Sequence, residues 1–139
     1  MILLDTNVVS ELMRPAPTQG VMSWVAAQPP ASLFLSTVTE AELRYGVMLL
    51  PEGRRRSELL TALEAMLVVD FAGRILPFDS PAASAFAAIS TGRRQMGKPI
   101  SQFDAQIAAI AQSRGAELAT RNVADFEDCG VRIINPWEP

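Results

Sequence analysis

Short apolar runs and longer stretches of helical periodicity alternate along the chain. Ile2-Leu3-Leu4 is an uninterrupted apolar run that stops at Asp5, and Ser32-Leu33-Phe34-Leu35-Ser36 is a second that stops before Thr37. Both read as short buried strands. Arg74-Ile75-Leu76-Pro77-Phe78 is a weaker third, because proline cannot donate to a sheet ladder. Glu117-Leu118-Ala119-Thr120 and Val131-Arg132-Ile133-Ile134 bring the expected number of strands to five. Helical spacing fills the intervals at about residues 18–28, 38–50, 54–69, 81–96 and 102–114. Ser80 before Pro81 reads as an N-cap with proline in the first helical position, and Gly115 after Ser113-Arg114 as a helix stop.

Strands that alternate with helices predict an α/β fold, with a parallel sheet covered on both faces and joined by right-handed crossovers. A length of 139 residues suits one domain spanning 1–139. With 49% hydrophobic and 19% charged residues, the chain has the balance of an ordered core and little room for disordered tails. In sheets of this kind ligands bind beyond the carboxyl ends of the strands, where the strand order reverses. Chemistry is therefore expected at that edge.

Composition narrows the chemistry. The chain has no histidine, which removes the commonest general base, the Ser-His and Cys-His nucleophile pairs and the usual transition-metal ligand. A single cysteine, Cys129, allows neither an internal disulfide nor a zinc cluster. Carboxylates remain, and grouped carboxylates are ligands for hard cations such as Mg²⁺ and Mn²⁺. The net charge of -3 argues against bulk electrostatic capture of nucleic acid, so any basic surface must be local. Only Ile2, Leu3 and Leu4 stand between Met1 and Asp5, too short for a signal peptide or membrane span, and the expectation is a cytoplasmic protein without membrane contact.

Four segments place an acid or amide at strand ends or on inward helix faces. Asp5 closes the first strand, although Asp5-Thr6-Asn7 equally suits an Asx-turn or helix cap. Glu42 falls between Val38, Tyr45 and Leu49 on one helical stripe, which would turn a carboxylate inward. Thr39-x-x-Glu42 also fits a capping box, but Thr37-x-x-Glu40 fits one as well. Asp104 flanks an inner face of Phe103, Ile107, Ile110 and Ala111, and Ser101-x-x-Asp104 again leaves capping open. Asn122 and Asp125 follow the fourth strand, where either could be a turn residue. Glu52, Glu58 and Glu64 with Arg54, Arg55 and Arg56 read as a solvated face, Asp79 as a cap and Asp70 as a helix end. Arg93, Arg94 and Lys98, like the Arg54–Arg56 run, are candidate phosphate contacts, with plain solvation the alternative.

At these residues the sequence resembles the PIN-domain ribonuclease toxins of the VapC family, in their FitB-like subgroup. The resemblance is carried by MILLDTNVVSEL, LSTVTEAELRYG, GKPISQFDAQIAAIA and LATRNVADFEDCGVRIINPWE. It implies a single α/β/α PIN-like domain on a five-stranded parallel sheet, a homodimer, Mg²⁺ or Mn²⁺ dependence, and RNA cleavage blocked by a cognate antitoxin through which alone the complex would meet DNA. It also implies that Asp5, Glu42 and Asp104 hold metal. Some relatives carry aspartate where this chain has Asn122, so either Asn122 or the nearby Asp125 would supply the fourth position. Thr6, Ser36 and Thr120 are candidate supporting hydroxyls. A Mg²⁺-dependent phosphatase or DNA nuclease, or a regulatory module without activity, could also use strand-end acids. Against the phosphatase, Asp5-Thr6-Asn7 has no second acid two residues on.

Overall fold

The computed structural model describes residues 1–139. Five parallel strands form one sheet: β1 (Ile2–Leu4), β2 (Leu33–Ser36), β3 (Ile75–Leu76), β4 (Glu117–Ala119) and β5 (Ile133–Ile134). Their order is β3-β2-β1-β4-β5, as expected of an α/β fold, with Leu3 registered against Phe34 on one side and Leu118 on the other. The chain winds outward from the central strand through β2 and β3, then returns to build β4 and β5 on the opposite side. The order reverses between β1 and β4, and a crevice is expected beyond their carboxyl ends.

Six α-helices cover the sheet: α1 (Thr6–Leu12), α2 (Gln19–Ala27), α3 (Thr37–Met48), α4 (Arg54–Ala65), α5 (Ser80–Gln95) and α6 (Gln102–Arg114). Strand alternation divides the core. Leu3 points to a layer containing Ile107, Ile110 and Ala111 of α6 with Ala82 and Ile89 of α5. Ile2 and Leu4 point the other way, to Val8 and Val9 of α1, Val21 of α2, Leu43 of α3 and Leu63 of α4. Leu3 and Leu4 are fully buried, and each such side chain contributes about 1.5–3 kcal/mol.

Helix α1 was not foreseen. Asp5 caps it, its side chain accepting from the Thr6 N–H, so of the turn and the helix cap that the sequence left open at Asp5 the structure has the cap, and a helix starts directly after the strand. Other boundaries moved for local reasons. Ser36 caps α3 by accepting from the Thr39 N–H at 3.0 Å, so neither Thr37 nor Thr39 opens a capping box and Glu42 lies beyond the first turn. The cap of α5 is Asp79, which accepts from Ala82, and Ser80 is already helical. Beyond Ala65, α4 widens into a π-helical segment, Met66–Asp70. Gly115 ends α6 in the left-handed conformation at φ +64°, where glycine carries no Cβ penalty.

Two inner faces also differ from expectation. In α3 the buried residues are Val38, Thr39, Leu43 and Val47, while Tyr45 and Leu49 are 67% and 66% exposed. In α6 Phe103 is 56% exposed, and the buried face is Ala105 with Ile107 through Ala111. The small side chains of α6 let it pack closely against both the sheet and α5. Of the expected solvated face, Arg54 pairs with Glu58 and Arg56 lies 3.9 Å from Glu52, but Glu64 pairs with Arg44 of α3.

Candidate active site

An open pocket of about 500 Å³ lies at the carboxyl ends of β1 and β4, the place the reversal of strand order requires. Asp5, Glu42 and Asp104 all line it, joined by Asn122 at its lip. Three of the four segments singled out in the sequence therefore bring acids to one cavity, and the fourth brings an amide. Asp125 is exposed and lines an adjoining depression with Arg121, Asn122 and Asn135, not the pocket itself. As the side chains stand, no three acids are drawn together as a ready-made metal cage.

Asp5 is held through both of its carboxylate oxygens. One carboxylate oxygen accepts from the Thr6 N–H at 2.8 Å, and the other accepts from the Thr120 hydroxyl at 2.8 Å. Thr120 in turn accepts from the Asn122 N–H at 3.0 Å and from the Asn7 amide at 3.3 Å. Asp5 is only 4% exposed, and burial is the main reason its pKa rises from 3.8 to about 6. The two hydrogen bonds oppose the rise, while the charges of Asp104 and Glu42 add to it.

Glu42 is reached through a hydroxyl relay. The Thr6 hydroxyl donates to Glu42 Oε1 at 2.8 Å, which leaves the Thr39 hydroxyl to donate to Thr6 at 2.9 Å. Thus Thr6 and Thr120 do support the acids, as the sequence suggested, but Ser36 is occupied as a helix cap. The Ser101 hydroxyl accepts from the Asp104 N–H at 3.2 Å, so this acid sits in a capped first turn while also lining the pocket. Its pKa is raised, chiefly by burial and then by Asp125, against the lowering effects of the Ser101 hydroxyl and Arg93. Asp125 therefore acts on Asp104 by its charge although it lies outside the cavity.

Sequence reasoning missed Glu11, Arg14, Arg121 and Trp137, all of which line the pocket. Glu11 is a buried acid that accepts from the Thr18 hydroxyl at 3.2 Å and pairs with Arg14 at 3.3 Å. The signal was present, because Asn7, Ser10, Glu11 and Arg14 form a polar stripe at helical spacing opposite Val8, Val9 and Leu12. It needed the helix to be recognised first.

Arg93 was read as a possible phosphate contact, but the structure uses it otherwise. It is buried and donates to the carbonyls of Lys98, Asp125 and Glu127 at 2.7–2.9 Å, pinning the loop before α6 to the segment after β4. Cys129 lies against it, buried, with its thiol pushed up by that burial.

Residues 2–130 match the family model described as PIN domain. Over its full length the chain is 44% identical to a VapC ribonuclease, Y4jK, of Sinorhizobium fredii, covering 99% of that protein. It is 43% identical to Toxin FitB of Neisseria gonorrhoeae, with 99% of each chain covered. Among solved structures, the crystal structure of FitAcB from Neisseria gonorrhoeae superposes with a TM-score of 0.94 at 42% identity, covering 100% of both chains. The DNA-bound VapBC of Salmonella typhimurium gives 0.80 at 26% identity over 97% of each.

Proposed function

The chain belongs to the PIN-domain family, and from that premise we propose that it is the toxin of a type II toxin-antitoxin system, an endoribonuclease whose pocket at the β1–β4 edge cuts RNA. One observation carries the reading: Asp5, Glu42 and Asp104, from three separate segments, face a single pocket in a protein that has no histidine. The named relatives support the ribonuclease class and the toxin role. The same three acids speak against a regulatory module that has lost activity.

The donor set fits a hard divalent cation. All three side chains offer carboxylate oxygen, and Asp5 and Asp104 are raised first by burial and then by neighbouring acids, Asp104 and Glu42 for Asp5 and Asp125 for Asp104, a cost that a cation would relieve. We assign Asp5, Glu42 and Asp104 as the groups that would hold Mg²⁺ or Mn²⁺, with Asn122 at the lip and Asp125 adding negative charge behind Asp104. When bound, such an ion supplies Lewis-acid activation of water and charge neutralisation for attack on a phosphodiester. The chain's own contribution is orientation. Thr120 and the Thr6 N–H fix both oxygens of Asp5, and the Thr39–Thr6 relay fixes Glu42.

A cognate antitoxin is the partner, since the matching solved structures include FitAB and VapBC complexes, some of them bound to DNA. The acid-lined pocket suits a blocking basic side chain, most simply an arginine, whose planar fork pairs with clustered carboxylates. DNA contact would then belong to the antitoxin. The chain acts as a homodimer in the cytoplasm in this reading. No helix is long and apolar enough to cross a membrane, and Tyr45, Met48 and Leu49 leave apolar surface on α3 for a protein partner. Expression of the chain alone should arrest growth, an Asp5→Asn variant should not, and co-expression of the adjacent antitoxin should restore growth. Normal growth with abundant folded protein would count against the toxin role.

A further inference from the structure

The pocket contains one cation that its acids do not use. Of the two arginines lining it, Arg14 is paired with Glu11. Arg121 stands in a cavity that also presents Asp5, Glu11, Glu42 and Asp104, yet it forms no ion pair with any of them. Its guanidinium instead lies over the ring of Trp137, 5.1 Å from the centroid. An arginine beside clustered carboxylates would ordinarily fold onto them as a bidentate partner. Here the stack holds it away.

Both halves of that stack are fixed by the ends of neighbouring strands. Arg121 follows β4, and its N–H donates to Asn7 Oδ1 at 3.4 Å. Trp137 follows β5, its N–H donates to Asn135 Oδ1 at 3.0 Å, and it packs, half-buried, against the core layer that contains Ile2 and Leu4. Thr120 N–H bonds to the Ile134 carbonyl at 2.9 Å, tying the two ends together. The indole N–H is buried and has no acceptor in the chain.

Arg121 also lines the adjoining depression, and so stands between that depression and the acid pocket. An RNA strand with its scissile bond among the acids must carry its next phosphate past a wall that is otherwise negative, on a protein of net charge -3. We propose that Arg121, held by Trp137, binds the RNA phosphate neighbouring the cleaved bond. A guanidinium already stacked on an aromatic face keeps its fork of N–H donors free for phosphate. The proposal rests on the pocket being the site of RNA cleavage.

The test is binding of a short mixed-sequence single-stranded RNA to Asp5→Asn protein, with and without Arg121→Ala, over a series of salt concentrations. Arg121→Ala should weaken binding by about tenfold and reduce the slope of log affinity against log salt by about 0.7, the value for one phosphate contact on a single strand. Arg121→Lys should keep the slope with intermediate affinity, and Trp137→Leu should weaken binding by less than Arg121→Ala. In the active protein, Arg121→Ala should raise KM more than it lowers kcat, as loss of uniform binding does. Unchanged affinity and slope in Arg121→Ala, with Asp5→Asn inactive, overturns the role of Arg121 alone. Full cleavage by Asp5→Asn overturns the site on which it rests.

Discussion

The two walls of the pocket are built differently. On the α1–α3 wall, Asp5 and Glu42 are tied down by Thr6, Thr120 and Thr39, with hydrogen bonds of 2.8–2.9 Å that leave little freedom. On the α6 wall, Asp104 is half-buried in a first helical turn, and Asn122 and Asp125 are exposed on the segment after β4. The fixed wall lies against the central strand, where burial forces every polar group to find a partner. The open wall is anchored from behind, through the Arg93 bonds to backbone carbonyls, and not through its acids. The side chains of one wall are thus fixed by hydrogen bonds, and those of the other form none within the chain.

The most drastic way to break the comparison is to remove one acid from each wall. Asp5→Asn and Asp104→Asn should each lower RNA cleavage by on the order of 10³, the scale of losing one electrostatic stabiliser of a transition state, with the fold retained by circular dichroism. If only the fixed wall mattered, Asp104→Asn would cleave at nearly the parent rate.

Stability should separate the walls in the opposite sense. In the unfolded chain Asp5 titrates near 3.8, and in the folded protein near 6. Between these values the folded state holds the proton more tightly, so stability falls as pH rises through the window and stays lower above it. A carboxyl displaced that far carries about 3 kcal/mol of cost at neutral pH. Asp5→Asn should therefore be more stable than the parent above pH 6 by an amount of that order in chelator, and the gain should vanish near pH 4. Denaturant titrations across pH would check this, with a smaller gain expected for the half-buried Asp104→Asn. A gain that persisted unchanged at pH 4 would remove burial of the charge as its cause.

Smaller effects come from the supports. Thr120→Val and Thr6→Val keep the side-chain shape but remove the hydroxyl, and each should cost about tenfold in turnover. Asn122→Asp would sharpen the contrast from the open side, since one more charge at the lip should tighten Mn²⁺ binding by about fivefold, the equivalent of about 1 kcal/mol in a solvated site. RNA cleavage rates of the threonine variants and titration of Mn²⁺ into Asn122→Asp would measure these two effects.

What the sequence made legible follows the same division. The strands and the α/β class could be read from short apolar runs, Asp5 because the first of these runs stops at it, and Glu42 and Asp104 because each stands beside an apolar helical face. Helix α1 was hidden because Asp5-Thr6-Asn7 satisfies a turn and a helix cap with the same local bonds, and with it went Glu11 and Arg14. The inward turn of Glu42 was anticipated from a stripe of which Val38 is buried while Tyr45 and Leu49 point to solvent. It lines the pocket because it borders the buried face of Thr39, Leu43 and Val47. The burial of Arg93 and the stacking of Arg121 on Trp137 depend on contacts 16 or more residues apart, which no local pattern records.

The central claim is that acids from both walls form one metal-dependent centre for RNA cleavage. Calorimetric titration of Mn²⁺ into the protein and into Asp5→Asn/Asp104→Asn, alongside RNA cleavage by the same samples, tests it most directly. The account predicts metal binding and cleavage by the parent and loss of both in the folded double variant. A double variant that bound Mn²⁺ and cut RNA like the parent would contradict it.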